Sequence, residues 1–358
     1  MTKGFLHLET GDILEGDWIG YETEMEGEIV FNTSMTGFQE MITDPSYSGQ
    51  ILTFTYPIIG SYGLNKLDFE SQGIHVNAVI LNDLCEEPSH YQATSTFHAE
   101  LKSAKVPGLA NVDTRALVSI LRKHQTVRGK LTKNKEEITK WKEKDTKSLV
   151  NKVAVKEKQT YGNGENHIVM VDFGHKASIL STLLENHCKV TIVPYHTSFE
   201  TIQSLQPNGI LLSNGPGNPM DLKEILPAIK EITGAFPTFG IGLGHQLIAL
   251  SYGAKTQRLS YGHRGNHPVK NVLTGKVYMT SQNHGYTVAE ESIDLNEFQV
   301  VYKNINDGSI EGFQHRNLPV QSVQFQPEAN PGPGDMEFIL QEFVQQVVAS
   351  GGKKYVQV

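Results

Sequence analysis

The feature that most constrains the fold is a series of short apolar runs, separated by helical segments, in the second half of the chain. These runs cover residues 168–171, 190–193, 210–212 and 238–241, and an amphipathic stretch from Ile179 to Leu184 follows the first of them. Strands that are apolar on both faces and alternate with helices are typical of a parallel sheet covered by helices. We therefore predict a doubly wound, mostly parallel α/β domain, with ligands at the carboxyl ends of its strands.

The first half of the chain has a different pattern. Between Glu28 and Tyr62, apolar runs alternate with turn-forming residues, which predicts strands and ordered loops. From Val112 to Arg122 the apolar residues recur at helical spacing, and Asp113 or Thr114 would cap that helix. These patterns indicate a smaller mixed α/β domain ahead of the parallel sheet.

A stretch rich in Lys and Glu, residues 130–158, separates the two patterns, and turn formers at 161–164 close it. Glutamates dilute its positive charge, so we expect a solvated surface helix and a linker rather than a polyanion site. We place the first domain at residues 1–152, the linker at 153–165 and the second domain at 166–358.

Composition excludes several classes of function. The net charge of -8 and the pI near 6.0 argue against nucleic acid as a partner. Because no apolar run is long enough for a bilayer span and the first residues lack the apolar core of a signal peptide, we expect no membrane partner and a cytoplasmic location. Two cysteines, Cys85 and Cys188, are too few for a disulfide framework or a zinc site, and no metal or nucleotide site is predicted in this chain.

Two strand ends carry specific signals. The first is the run from Leu211 to Pro219, Leu-Leu-Ser-Asn-Gly-Pro-Gly-Asn-Pro, whose glycines let backbone N–H groups approach a ligand. On its own, such a run is more often a tight strand-to-helix turn.

The second is the run from Phe239 to Leu247, Phe-Gly-Ile-Gly-Leu-Gly-His-Gln-Leu, an apolar strand that ends in glycines before a helix. This pattern predicts a nucleophile elbow, which holds its central residue on a strained turn at a helix N-terminus. A serine or cysteine belongs at the centre, but the central residue here is Gly242.

With these motifs the chain resembles the class I glutamine amidotransferases, and within them the small subunit of carbamoyl phosphate synthetase. That family has the elbow Gly-Ile-Cys-Leu-Gly-His-Gln, from which this chain differs only at Gly242. Further matching motifs in the second half are Asp172-Phe173-Gly174, Gly262-His263-Arg264-Gly265, Asn266-His267-Pro268-Val269-Lys270, Ser281-Gln282-Asn283-His284-Gly285, Pro327-Glu328 and Pro331-Gly332-Pro333. The first half resembles the domain peculiar to this subunit through Phe31-Asn32-Thr33, Met35-Thr36-Gly37, Asp44-Pro45-Ser46-Tyr47, Tyr56-Pro57 and Asp113-Thr114-Arg115.

The resemblance implies a function and a partner. In the family a cysteine thiolate attacks the side-chain amide of glutamine, a histidine moves the proton and a glutamate orients that histidine. The ammonia passes to a large subunit, which uses ATP, magnesium and bicarbonate, so no cofactor is implied in this chain. By position, Gly242 takes the nucleophile slot, Gln326 the histidine slot and Glu328 that of the orienting acid. Glutamine would be held by Ser46, Gly215, Gly217, Leu243, Gln246, Asn283, Gly285 and Tyr286.

The two departures close the covalent route, because glycine has no nucleophilic atom and a glutamine amide does not titrate near neutrality. Ser213, His245, His284 and Cys188 are the residues that could substitute, but a structural role is expected for each of them. Three hypotheses remain open: a subunit that assembles with the large chain but has weak or absent glutaminase activity, a regulatory protein that senses glutamine, or an active enzyme in which Gly242 and Gln326 are introduced residues.

Overall fold

The computed structural model describes residues 2–136, 141 and 148–350 of the chain. Contacts divide the chain into two compact units, Met1–Asp145 and Thr146–Val358. Part of the stretch for which a charged surface helix was predicted, residues 137–140 and 142–147, lies outside the described residues. Within the described residues, no helix combines the length and the apolar character that a membrane span requires.

The first unit is built on a closed barrel with the strand order β1-β2-β8-β6-β4-β3-β9. Strands β3, β4, β6 and β8 pair in parallel, and the other neighbours are antiparallel. A small separate sheet is formed by β5 and β7. The strands are β1 Lys3–Leu8, β2 Ile13–Gly20, β3 Met25–Asn32, β4 Gln50–Phe54, β5 Ile58–Ile59, β6 Ala78–Ile80, β7 Asp83–Leu84, β8 Pro107–Ala110 and β9 Val127–Thr132.

In the described part of this unit there are three α-helices, α1 Phe38–Thr43, α2 Phe97–Ser103 and α3 Thr114–His124, and a 3₁₀ helix spans Pro45–Tyr47. The predicted helix near Val112–Arg122 is confirmed as α3, and the Asp113 carboxylate caps it by accepting from the Ala116 N–H at 2.8 Å. Helix α1 lies in a stretch for which strands and loops were predicted.

The second unit contains a ten-stranded sheet in the described residues, with the order β10-β12-β11-β13-β14-β19-β18-β17-β15-β16. The five strands from β12 to β19 in this order run parallel, and the remaining strands pair antiparallel. The strands are β10 Gln159–Tyr161, β11 Asn166–Asp172, β12 Cys188–Pro194, β13 Gly209–Leu212, β14 Thr238–Ile241, β15 Thr256–Asn271, β16 Val277–Val288, β17 Phe298–Asn304, β18 Ile310–His315 and β19 Val320–Val323.

Helices cover both faces of this sheet. They are α4 Leu149–Val153, α5 Ala177–Glu185, α6 Phe199–Ser204, α7 Leu226–Ala235, α8 Leu243–Ser251 and α9 Phe338–Ser350, with 3₁₀ helices at Pro219–Ile225 and Glu290–Ser292. Because successive side chains of a strand point to opposite faces, Val169 and Val171 enter one hydrophobic core while Ile168 and Met170 enter the other. This burial on both faces explains why the sequence shows continuous apolar runs here.

The predicted α/β fold of the second unit is confirmed by the parallel strands and the covering helices. The stretch proposed as a linker, residues 153–165, contains β10, which pairs antiparallel with β12. Part of that stretch therefore extends the sheet of the second unit.

Candidate functional site

The strand-to-helix turn after β14 has the geometry of a nucleophile elbow. Gly242 adopts φ 55° and ψ -106°, and its N–H donates to the Val323 carbonyl of β19 at 2.9 Å. Side chains rarely adopt this backbone conformation, so the turn is strained for any residue except glycine. The turn presents position 242 at the N-terminus of α8, at the edge where the parallel strands end.

There is space for an added Cβ atom at Gly242 but not at Gly244. A Cβ atom added to Gly242 would lie 3.5 Å from Asn214 Cβ and 3.8 Å from the Gln324 carbonyl oxygen, which are ordinary van der Waals distances. A Cβ on Gly244 would instead lie 2.3 Å from the Leu212 carbonyl oxygen, so the close approach of α8 to β13 requires glycine there. The site therefore retains room for a small side chain at position 242.

The turn after β13 faces this elbow. Ser213 is fully buried, its Oγ accepts from the Phe173 N–H at 2.9 Å and donates to the Asn214 carbonyl at 2.8 Å, and its carbonyl accepts from the Gly244 N–H at 3.1 Å. Ser213 thus braces the two turns, as expected, and its hydroxyl is engaged. A Cβ on Gly215 would lie 2.5 Å from the Phe173 carbonyl oxygen, so glycine is required for the close packing.

Two backbone donors are suited to a developing negative charge. Leu243 is the first residue of α8, so its N–H has no acceptor within the helix and lies at the positive end of the helix dipole. The N–H of Gly215 belongs to the facing turn, where the absent side chain permits close approach. Gly217 follows in the same turn with φ 94°.

Gln246 connects α8 with the antiparallel part of the sheet. Its Nε2 donates to the Tyr286 carbonyl of β16 and to Gln324 Oε1, both at 2.8 Å. Asn283 and Gly285 lie on the same strand as Tyr286, so the structure brings this group of predicted residues onto one strand beside the elbow. Gln324, which sequence reasoning missed, connects the end of β19 to this network.

Gln326 and Glu328 follow β19. The Gln326 N–H donates to the Ser281 carbonyl at 2.9 Å, and its side-chain Oε1 lies 3.3 Å from Ser281 Oγ. Glu328 is fully buried at its side chain and pairs with Lys176, whose Nζ lies 3.0 Å from Glu328 Oε1. The carboxylate at the predicted orienting position is therefore held by a lysine. Sequence reasoning missed Lys176, since its contact with Glu328 joins distant parts of the chain.

The histidines and the cysteine near these motifs have structural environments. His245 is fully buried, its Nδ1 lies 2.9 Å from Ser322 Oγ, and burial lowers its pKa to about 3. Burial also lowers the pKa of His284 well below the usual value. Cys188 is buried at the start of β12, and burial raises the pKa of its thiol to about 11, which disfavours the thiolate.

Ser46 belongs to the first unit. It is buried in the 3₁₀ helix Pro45–Tyr47, where its N–H donates to the Asp44 carboxylate at 2.8 Å. The adjacent Tyr47 hydroxyl accepts from Asn32 Nδ2, also at 2.8 Å. These contacts give Ser46 a defined conformation in the first unit, and the other predicted glutamine-binding residues all lie in the second.

Comparisons with known proteins match both units. Residues 6–131 match the family "Carbamoyl-phosphate synthase small chain, CPSase domain", and residues 169–346 match "Glutamine amidotransferase class-I". The carbamoyl phosphate synthase arginine-specific small chain of Halalkalibacterium halodurans is 44% identical over 355 residues, which cover 98% of this chain and 99% of the relative. This chain belongs to the carbamoyl phosphate synthase small-chain family.

Other members of the small-chain family are equally similar. The arginine-specific small chain of Bacillus subtilis is 46% identical over 349 residues, which cover 97% of each chain. The small chain of Listeria monocytogenes is 46% identical over 353 residues, which cover 96% of this chain and 97% of the relative. The similarity therefore extends over both units and is not confined to the motifs around the elbow.

Proposed function

We propose that this chain is the glutamine amidotransferase-type small subunit of a carbamoyl phosphate synthase, in which the glutamine pocket is retained and the hydrolysis of glutamine is weak or lost. Its partner would be a large chain that uses ATP, magnesium and bicarbonate. Membership of the small-chain family over nearly the full length supports assembly with such a partner. Relatives named arginine-specific favour arginine synthesis as the pathway.

The observation that carries the loss of hydrolysis is Gly242 at the centre of the elbow. Attack on an amide carbon requires a nucleophilic atom, and glycine supplies none. The second loss is at Gln326, because an amide cannot take up and return a proton near neutral pH. With no thiolate to attack and no imidazole to protonate the leaving ammonia, the covalent two-step reaction has no route at these positions.

Retention of the pocket rests on the groups around the elbow. The N–H groups of Leu243 and Gly215 are suited to donate hydrogen bonds to the side-chain oxygen of glutamine, as in an oxyanion hole. Gln246 is held by two hydrogen bonds, which fix its orientation toward β16. Because Asn283, Gly285 and Tyr286 lie on that strand, a preorganised set of polar groups remains even though the nucleophile is missing.

Reconstitution with a large chain tests this function. The purified chain would be mixed with the large chain of a close relative, such as that of Bacillus subtilis, and carbamoyl phosphate formation would be measured with either ammonia or glutamine as nitrogen source. We expect a stable complex that works with ammonia, and a rate with glutamine at least about 10³-fold below that of a complex containing the relative's own small chain. The relative's small chain is the matched control.

Two results would contradict the proposal. Equal rates with glutamine for the two complexes would mean that another nucleophile operates. Failure to form a complex, together with saturable glutamine binding by the isolated chain, would favour the alternative of a non-catalytic glutamine-binding regulatory protein.

A further inference from the structure

A cluster of metal-ligating side chains lies in the antiparallel part of the second sheet. His263 on β15, His284 on β16 and Glu311 on β18 are all buried, and each offers a ligand atom within 4.8 Å of the other two. Three different strands contribute these residues, so local sequence spacing gives no sign of the cluster. No metal site was predicted from the sequence.

Each histidine ring of the cluster has one nitrogen that donates a hydrogen bond to an oxygen acceptor. His263 Nε2 lies 2.8 Å from the Asp307 carboxylate, and His284 Nδ1 lies 2.8 Å from the Tyr286 carbonyl. Each of these oxygens can only accept, so each ring donates from that nitrogen. When each ring is neutral, the other nitrogens, His263 Nδ1 and His284 Nε2, carry lone pairs, which is the form of a histidine that binds a metal. His263 Nδ1 lies 3.4 Å from both Glu311 Oε1 and Asn304 Nδ2.

The second nitrogen of His284 faces a further acceptor. His284 Nε2 lies 2.7 Å from Gln282 Oε1, and the amide nitrogen of Gln282 donates to Thr280 Oγ1 at 3.1 Å. Two acceptors at 2.7 Å repel each other unless a cation or a proton lies between them. With the Gln282 amide in this orientation, His284 Nε2 and Gln282 Oε1 have no donor between them.

Glu311 supplies an independent observation. Its side chain is fully buried, its Oε1 accepts from Asn304 Nδ2 at 2.9 Å and lies 3.4 Å from His263 Nδ1, and its Oε2 has no hydrogen-bond partner. A buried carboxylate oxygen without a partner is costly, because the charge loses its hydration and gains no compensating donor. A bound cation would remove that cost.

We infer that His263, His284 and Glu311 form a structural binding site for a transition-metal ion, most suitably Zn²⁺. Two imidazole nitrogens and one carboxylate oxygen are ligands that zinc prefers, and Gln282 Oε1 is positioned to serve as a fourth. The Asp307 carboxylate and the Tyr286 carbonyl would act as the outer partners that hold the two rings in the correct tautomers. The metal would cross-link β15, β16 and β18.

Metal content of the full chain tests the site. A tag-free chain, purified without chelator, would be measured by mass spectrometry of its elements, and we expect about one zinc ion per chain. Glu311→Gln and His263→Asn should each reduce the zinc content at least about fivefold. His196→Asn is the matched control, since His196 is exposed and lies outside the cluster, and it should leave the zinc content unchanged.

A second measurement avoids any dependence on how the variants fold. The unmodified chain, stripped by a chelator, would be titrated with Co²⁺, and a tetrahedral site gives a saturable visible absorption that Zn²⁺ abolishes. Its melting temperature should fall by several degrees on stripping and recover with Zn²⁺. Zinc content in the unmodified chain no higher than in the variants, with no saturable Co²⁺ signal, would overturn the inference and leave a proton-bridged histidine network.

Discussion

Restoring both reactive side chains should restore glutamine hydrolysis. The change is Gly242→Cys with Gln326→His, and the structure leaves room for the first atom of the new side chain, because an added Cβ at position 242 would lie 3.5 Å from Asn214 Cβ. Its cost is backbone strain at φ 55°, about 1–3 kcal/mol. At about 2–4 °C for each kcal/mol, the variant should melt several degrees lower but remain folded.

The gain in activity should be cooperative. A cysteine without a proton-transferring partner, or a histidine without a nucleophile, provides little of the full rate, because residues of such a catalytic unit act together. We therefore expect each single variant to stay near background and the double variant to release ammonia from glutamine on the order of 10³-fold faster or more. We expect Glu328, whose Oε1 lies 3.0 Å from Lys176 Nζ, to orient the restored imidazole.

Ammonia release is followed by a coupled glutamate dehydrogenase assay, with the chain alone and in complex with a large chain. The matched control is Gly242→Ala with Gln326→His, which carries the same backbone strain and no thiol, and should lose the same stability without gaining activity. A folded double variant with no more activity than this control would refute the assignment of Gly242 and Gln326 to the catalytic positions.

Three other predictions concern stability, measured by denaturant unfolding. Gly244→Ala should destabilise the chain by more than Gly242→Ala, because its Cβ would lie 2.3 Å from a backbone oxygen that cannot move aside; equal costs would contradict the packing of the elbow. Lys176→Met should cost about 3–5 kcal/mol by removing the ammonium that pairs with the buried Glu328 carboxylate, and adding Glu328→Gln should recover part of that loss; no recovery would argue against the ion pair. Burial lowers the pKa of His245 to about 3, so between about pH 6.5 and pH 3 the unfolded chain takes up a proton that the folded chain does not. As the pH is lowered through that window, this residue should decrease the free energy of unfolding by about 1.4 kcal/mol for each pH unit. His245→Gln should reduce the slope by that amount, and an unchanged slope would contradict the burial of a neutral ring.

The sequence predicted those parts of the fold in which the local pattern decides the structure. The run at 168–171 is apolar at every position because the sheet buries both faces, and the glycines after Ile241 indicate the elbow directly. The antiparallel strands were not predicted, because their pairing joins segments far apart in the chain. Helix α1 was also missed, since its six residues carry too few apolar repeats to show a helical period.

In the candidate site, too, the sequence predicts only what the local pattern determines. Positions within one motif, such as Gly242 and Gln246, can be assigned from the sequence, because the turn and the first helical turns place them together. Contacts between different motifs cannot be assigned from the sequence. The pairing of Lys176 with Glu328 and the meeting of His263 with Glu311 depend on how strands are ordered in the sheet, which the sequence pattern does not specify.

The measurement that tests the central claim most directly is glutamine binding by the unmodified chain, followed by an ammonia assay on the same sample. Isothermal titration calorimetry would report binding, and the assay would report any hydrolysis during the titration. We predict saturable binding of glutamine at one site with no ammonia above the buffer control. Ammonia release at the rate of an intact small chain would contradict the account, and so would the absence of any glutamine binding.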